Sequence, residues 1–240
     1  MKKFAVFDID GTLIRWQLFH VAIDKLAKSG VLGSEAHQQI HEARMNWKRR
    51  VTNKGFPAYE QTLVKLYERA ITKVSSAQFD AIITEITEEY KDQVYTYTRD
   101  LIKHLRSEGY LLFAISGSQK ELVSEIANYY GFDDCIATEY DRTKNGFSGK
   151  VYVASHDKEA ALSKLISQYK LDTKGSYAVG DSKSDAPMLR MVENPIAFNP
   201  DGDLFELAKQ AGWKVVLERK NMVYEMEPQN GQYVLVKTGE

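Results

Sequence analysis

Asp8 and Asp10 stand two residues apart at the end of a short apolar run, and Gly11-Thr12 follows them directly. A second pair of carboxylates, Asp181 and Asp185, lies in Gly180-Asp181-Ser182-Lys183-Ser184-Asp185. Ser116-Gly117-Ser118 follows another apolar run, and Lys158 opens the segment Lys158-Glu159-Ala160-Ala161-Leu162. Carboxylates brought to one point repel one another unless a cation joins them. Hard oxygen donors favour Mg²⁺, with waters and a substrate phosphate completing its shell. Asp8 then has two jobs open to it: a metal ligand only, or a ligand that also attacks phosphorus and forms an aspartyl-phosphate. Asp10 is placed to protonate a leaving oxygen and later to deprotonate water. Ser116 and the N–H groups beside it can hold phosphoryl oxygens, and a lysine can neutralise charge on a loose transition state. Lys158 is the candidate for that lysine, with Lys150 and Lys164 as rivals.

Such groups converge only if the chain brings several strand ends together, which an open α/β sheet does at the carboxyl ends of its strands. Lys3 to Phe7 reads as a buried parallel strand. From Trp16 to about Tyr90 the texture is helical, with apolar residues at helical spacing and breaks at Gly30, Gly33 and Gly55-Phe56-Pro57. Three to five helices are expected there, with Ser34 and Ser75 as N-caps. Beyond Thr98 helices and strands alternate. The expected elements are a helix Asp100 to Glu108, strand Tyr110 to Ile115, helix Gln119 to Tyr130 and strand Ile136 to Thr138. A turn at Asn145-Gly146, strand Lys150 to Ala154, helix Lys158 to Tyr169 and strand Ser176 to Val179 come next. A short helix Met188 to Val192, strand Pro195 to Phe198, helix Leu204 to Ala211 and strand Trp213 to Leu217 complete the alternation. This pattern argues a doubly wound parallel-sheet core, Rossmann-like, with the helical stretch inserted after its first strand. The expected boundaries are residues 1–14 and 96–220 for the core, 15–95 for a helical cap and 221–240 for a C-terminal β-hairpin turning at Pro228-Gln229-Asn230-Gly231.

The 240 residues carry 32 basic and 33 acidic side chains, with 43% hydrophobic and 27% charged. That composition is ordinary for a globular chain, and its neutrality gives no global pull toward nucleic acid or an anionic membrane. No stretch approaches the ~20 apolar residues of a membrane span, and Asp8 ends the first apolar run too early for a signal peptide. Cys135 is the sole cysteine, which rules out an internal disulfide and fits a reducing, cytoplasmic setting. Residues 14–95 carry a net charge of +2 and the remainder −3. The inserted stretch holds Arg44, Lys48, Arg49, Arg50 and Lys54 with no acid from Ala43 to Tyr59. That run reads first as a solvated face, and second as a patch drawing an anionic substrate in, with Arg49 a candidate contact. His37 and His41 lack metal-ligand context. Trp16 and Phe19 fit packing near a hinge, with Trp16 also a candidate substrate contact.

Taken together, Asp8-Ile9-Asp10-Gly11-Thr12, Ser116 after its strand, Lys158 and Gly180-Asp181-Ser182-Lys183-Ser184-Asp185 resemble the four motifs of the haloacid dehalogenase superfamily phosphatases. The helical insertion, the segment Cys135 to Val151 and Phe198-Asn199-Pro200-Asp201 are similar to the phosphoserine-phosphatase-like subfamily. The resemblance implies Asp8 as nucleophile and metal ligand, and Asp10 as general acid and base with its backbone carbonyl on the metal. Asp181 is implied as a further ligand of Mg²⁺. Thr12, Ser116 and Gly117 would hold phosphate, and Lys158 would bridge nucleophile and phosphoryl group. Asp185 would bind the metal through water or support Lys158. The cap would exclude water and select substrate by closing. The resemblance departs at Gln17, a neutral residue where true phosphoserine phosphatases carry a glutamate for the substrate ammonium, and at Gly11, where they carry serine. The expected activity is hydrolysis of a small phosphorylated metabolite, by a monomer or homodimer. Sugar phosphates, phosphorylated amino alcohols and phospholipid head-group intermediates remain open as substrates. Alternatives are a phosphotransferase or phosphomutase on the same scaffold, and a receiver-like signalling module.

Overall fold

The first apolar run forms β1 (Lys2–Phe7), buried from Phe4 onward. The computed structural model describes residues 2–52, 55–153 and 156–239. The chain divides into two units, one of Met1–Trp16, Tyr90–Thr138 and Val153–Glu240, the other of Gln17–Glu89 and Glu139–Tyr152.

In the first unit β1 is flanked by β2 (Leu111–Gln119) and β5 (Leu171–Gly180), both parallel to it. Phe7 lies opposite Ala114 on one side and Val179 on the other. The residues that follow each position therefore emerge side by side at one sheet edge. Outward from β2 comes the first half of β3 (Asp134–Arg142); outward from β5 come β6 (Asn194–Phe198) and β7 (Lys214–Arg219), all parallel. The antiparallel pair β8 (Met222–Gln229) and β9 (Gln232–Gly239) then extends the sheet, as the expected C-terminal hairpin. Asn230 and Gly231 turn it with φ of 51° and 79°, the backbone that asparagine and glycine tolerate. One core packs β1, β2, β5, β6 and β7 against α7 (Lys158–Tyr169), α8 (Ala186–Leu189) and α9 (Gly202–Ala211). The remaining helices of this unit are α5 (Thr96–Ser107) and α6 (Lys120–Tyr129).

Two boundaries differ instructively. β2 does not stop at Ile115 but runs through Ser116-Gly117-Ser118, because its pairing with β3 resumes after a register shift with Gln119 opposite Thr138. α5 begins at Thr96, four residues ahead of expectation. Its first N–H groups, those of Thr96 and Tyr97, donate to the Glu218 carboxylate at 3.1 and 2.9 Å. A cap supplied from β7 leaves no local signal.

The second unit contains α1 (Leu18–Lys28), α2 (Ser34–Lys48), α3 (Gly55–Ile71) and α4 (Ser76–Tyr90). Ser34 is the first residue of α2 rather than its cap, which is Gly33 with φ 76°. Ser75 does cap α4: its hydroxyl accepts from Gln78 N, and the Gln78 side-chain Oε1 accepts from Ser75 N. The second half of β3, with β4 (Phe147–Tyr152), clusters with these helices. Phe147 meets Phe79 edge-on with centroids 4.8 Å apart, Tyr140 meets Tyr67 at 5.0 Å, and Arg142 pairs with Asp80 at 2.7 Å. Ala154, the expected end of β4, lies outside the described residues. No helix among the described residues is long and apolar enough to cross a membrane.

Candidate active site

Asp8 directly follows β1, and its N–H donates to Val179 O at 2.9 Å, which extends the sheet pairing by one residue. The chain then folds back: Leu13 N and Ile14 N both donate to Ile9 O, and Gly11 takes φ 80°. That left-handed position explains glycine there. The turn returns Asp10 and Thr12 to the strand end. Thr98 on α5 fixes it from outside, its hydroxyl donating to Thr12 O at 2.8 Å.

Ser116, on the neighbouring strand, donates its hydroxyl to Asp10 Oδ2 at 3.0 Å and accepts from Ser118 N at 3.1 Å. Thr138 Oγ1 donates to Gly117 O at 2.7 Å and pins this end of β2 from β3. Lys158 is held at the first position of α7, whose cap residue Asp157 accepts from Ala160 N. A cation at a helix N-terminus is disfavoured by the helix dipole. Two carboxylates offset this, because Lys158 Nζ donates to Asp8 Oδ1 at 2.7 Å and to Asp185 Oδ1 at 2.5 Å. The other oxygen of Asp185 accepts from Asp181 N, Ser182 N and Ser182 Oγ. Gly180 makes room for this arrangement: a Cβ there would lie 2.5 Å from Asp185 Cγ. Asp181 O accepts from Asp201 N at 2.8 Å, and Asp201 Oδ2 accepts from Lys183 N, so the loop after β6 holds the loop after β5.

Four of these side chains are withdrawn from water, with Asp8 5% exposed, Asp10 8%, Lys158 2% and Asp185 0%, while Asp181 is half-buried. Burial pushes the Asp8 carboxyl up to about 7; Lys158 opposes the rise, while Asp185 and Asp10 add to it. Asp181 is raised well above its ordinary value, first by burial and then by Asp8 and Asp185. Burial pulls Lys158 down, but Asp185 and Asp8 outweigh it and hold the ammonium above its usual value. One lysine thus leaves the carboxylates short of positive charge. Asp8, Asp181 and Asp185 each offer an oxygen within 4.8 Å of the others. An all-oxygen, charge-deficient cluster fits a hard divalent cation. Thr12 Oγ1, wholly buried with no hydrogen-bond partner among the described residues, is a further group open to a ligand.

Asp8, Asp10, Ser116, Lys158, Asp181 and Asp185 thus lie together, with Thr12 in the loop after β1 and Gly117 in β2 beside Ser116. Lys150, one rival to Lys158, belongs to the second unit, and Lys164 lies further along α7. Trp16 is 41% exposed. Gln17 and Arg49 belong to the second unit, Gln17 ahead of α1 and Arg49 at the exposed end of α2. Within the basic run Arg44 is already engaged, its guanidinium 2.5 Å from Asp24 and 3.2 Å from Tyr59 OH. Lys48, Arg49 and Arg50 are exposed, and Lys54 lies outside the described residues. Sequence reasoning missed Thr98, Thr138 and the role of Asp201, whose partners are remote in sequence.

The family model of haloacid dehalogenase-like hydrolases matches residues 5–190, and the chain belongs to that family. A histidinol-phosphatase of Neisseria meningitidis serogroup C is 25% identical over 230 residues, 90% of this chain and 99% of that protein. The phosphoserine phosphatase SerB1 of Mycobacterium tuberculosis is 29% identical over 145 residues, 59% of this chain and 47% of that protein. Among solved structures, a Bordetella pertussis protein of unknown function aligns with TM-score 0.72 at 22% identity, covering 90% of this chain and 98% of that one. A phospho-aspartyl intermediate analogue of phosphoserine phosphatase aligns with TM-score 0.63 at 20% identity, covering 91% and 94%. The expectations of an α/β hydrolase of this family with an inserted helical stretch, and of a phosphatase, are borne out.

Proposed function

We propose that this chain hydrolyses a small phosphomonoester in two steps through a phospho-aspartate on Asp8. The observation that carries this reading is the buried Asp8 carboxylate, held by Lys158 at 2.7 Å beside an Asp10–Ser116 pair. In the first step an Asp8 oxygen bonds to phosphorus and the ester P–O bond breaks. The carboxylic acid of Asp10 gives its proton to the departing alcohol. In the second step the Asp10 carboxylate takes a proton from water, the water oxygen bonds to phosphorus, and the Asp8–phosphorus linkage breaks to release inorganic phosphate. Thr12, Ser116, the Gly117 N–H and Lys158 stabilise the phosphoryl oxygens throughout. Mg²⁺, held by Asp8, Asp181 and the main-chain carbonyl of Asp10, would neutralise charge between carboxylate and phosphoryl group. Asp185 has every oxygen engaged, one with Lys158, and acts as the support of that lysine. The lone Cys135 fits a reducing cytoplasm.

The test is phosphate release from an aryl phosphate with Mg²⁺ present. Activity should vanish with EDTA and in Asp8→Asn, and full activity of Asp8→Asn overturns the mechanism. Phosphoserine and histidinol phosphate, the substrates named for the relatives, belong in the first substrate panel, although the neutral Gln17 disfavours phosphoserine.

A further inference from the structure

Gln119 is the last residue of β2 and the cap position of α6, and it is 0% exposed. Neither Oε1 nor Nε2 of its amide has a hydrogen-bond partner among the described residues, and its side chain does not cap the helix. A buried amide left unpaired costs on the order of 1–3 kcal/mol, so a native protein rarely retains one without use. Its position is informative. Three residues earlier Ser116 touches Asp10, and its Cα partner Thr138 holds the Gly117 carbonyl. A second unpaired polar group, the hydroxyl Thr12 Oγ1, belongs to the turn after β1. The loop after β1 and the end of β2 thus each carry a wholly buried polar group that has no partner among the described residues.

The chemistry of the amide narrows the partner. A phosphoryl dianion only accepts hydrogen bonds, so it could serve Nε2 but would leave Oε1 bare. Phosphoryl oxygens also have donors enough in Thr12, Ser116, the Gly117 N–H and Lys158. Oε1 requires a donor, and Nε2 an acceptor. An alcohol leaving group carrying an ammonium or hydroxyl beside an acceptor supplies both; an alkyl or aryl leaving group supplies neither.

We propose that Gln119 is a specificity-determining residue, its buried amide binding the polar substituent of an amino-alcohol or polyol leaving group. This rests on the phosphomonoesterase reading above. Sites built to hydrogen-bond a substrate group discriminate strongly against analogues lacking it, because the site's own polar atoms are then stranded.

The experiment measures kcat and KM for phosphoserine, phosphoethanolamine, histidinol phosphate and glycerol 3-phosphate, with n-propyl phosphate and phenyl phosphate as substrates whose leaving groups lack such a substituent. The wild type should favour the best polar substrate over n-propyl phosphate by at least about tenfold in kcat/KM. Gln119→Leu should reduce that ratio about tenfold or more, chiefly through KM of the polar substrate. Gln119→Glu keeps the acceptor and should restore part of the ratio for ammonium-bearing substrates. An unchanged ratio in Gln119→Leu, whether both rates fall or neither does, overturns the proposal, as does a wild type without polar preference. Should Gln119→Leu not fold, Gln119→Glu and Gln119→Met are judged by the same ratio. A wild type that hydrolyses no member of the panel counts instead against the phosphatase reading.

Discussion

Lys158 Nζ stands 2.7 Å from Asp8 Oδ1 in a site almost closed to water, and the same ammonium stands 2.5 Å from Asp185. Truncating one member of a buried charge cluster strands the others, at a cost of about 3–5 kcal/mol. Lys158→Met should therefore do two things at once. It should lower kcat by about a hundredfold or more, and it should lower the melting temperature of the metal-free protein, since Asp8 and Asp185 lose their shared cation. Lys158→Arg should not restore activity, because a planar guanidinium cannot occupy the point-charge position between two carboxylates. Phosphate release and thermal melting of the three proteins check both parts.

The raised carboxyls set a pH dependence with a definite sign. Asp8 has a folded value of about 7 against 3.8 unfolded, and Asp181 moves in the same direction. A raised carboxyl lends stability that is fully present below its unfolded value and lost as pH climbs through its folded value. Metal-free protein should accordingly lose stability from these groups between about pH 4 and pH 7. A divalent cation binds the ionised form and competes with protons. Millimolar Mg²⁺, at about ten times its dissociation constant, should raise the melting temperature by about 3–6 °C near pH 8. Near pH 5 it should raise it far less. Equal shifts at both pH values would contradict the assignment.

Two glycines separate steric need from helix propensity. A Cβ at Gly180 would press on Asp185, the residue that holds Lys158. At Gly202, the first residue of α9, a Cβ would meet nothing within 4 Å. Gly180→Ala should thus destabilise the chain by about 1–3 kcal/mol, the usual range for overpacking, and reduce kcat with it. Gly202→Ala should be neutral or stabilising by a few tenths of a kcal/mol. Denaturant melts of the pair, with phosphate release alongside, test the contrast.

Asp8, Ser116 and Asp181 were legible because each stands at or near the carboxyl end of a strand with a buried apolar stretch, and because β2, β1 and β5 are sheet neighbours. An α/β alternation makes that adjacency the expected topology. The supports were not legible. Thr98 reaches Thr12 from 86 residues away, and Glu218 caps α5 from 122 residues beyond Thr96. No local pattern reports a hydrogen bond of that range, so α5 read as starting late. Glu139–Tyr152 read as part of the α/β alternation because its strand propensity is sound. Its grouping with the helices comes from Phe147 against Phe79 and Arg142 against Asp80, contacts that only tertiary packing creates.

The Thr98–Thr12 contact turns one of these hidden supports into a measurable quantity. Thr98 is wholly buried, and its hydroxyl donates to Thr12 O at 2.8 Å and to Tyr95 O at 3.3 Å. Valine has nearly the same shape but no donor, so Thr98→Val leaves a buried carbonyl unsatisfied at a cost of about 1–3 kcal/mol. The loss falls on the turn that carries Thr12, whose own hydroxyl is the group open to a phosphoryl oxygen. Thr98→Val should therefore lower the melting temperature, raise KM and weaken inhibition by inorganic phosphate together. Thr98→Ser, which keeps the donor, should recover phosphate binding before it recovers full stability, since it still lacks the buried methyl. A Thr98→Val enzyme with lowered melting temperature but unaltered phosphate inhibition would show that α5 supports the fold without positioning the Thr12 turn.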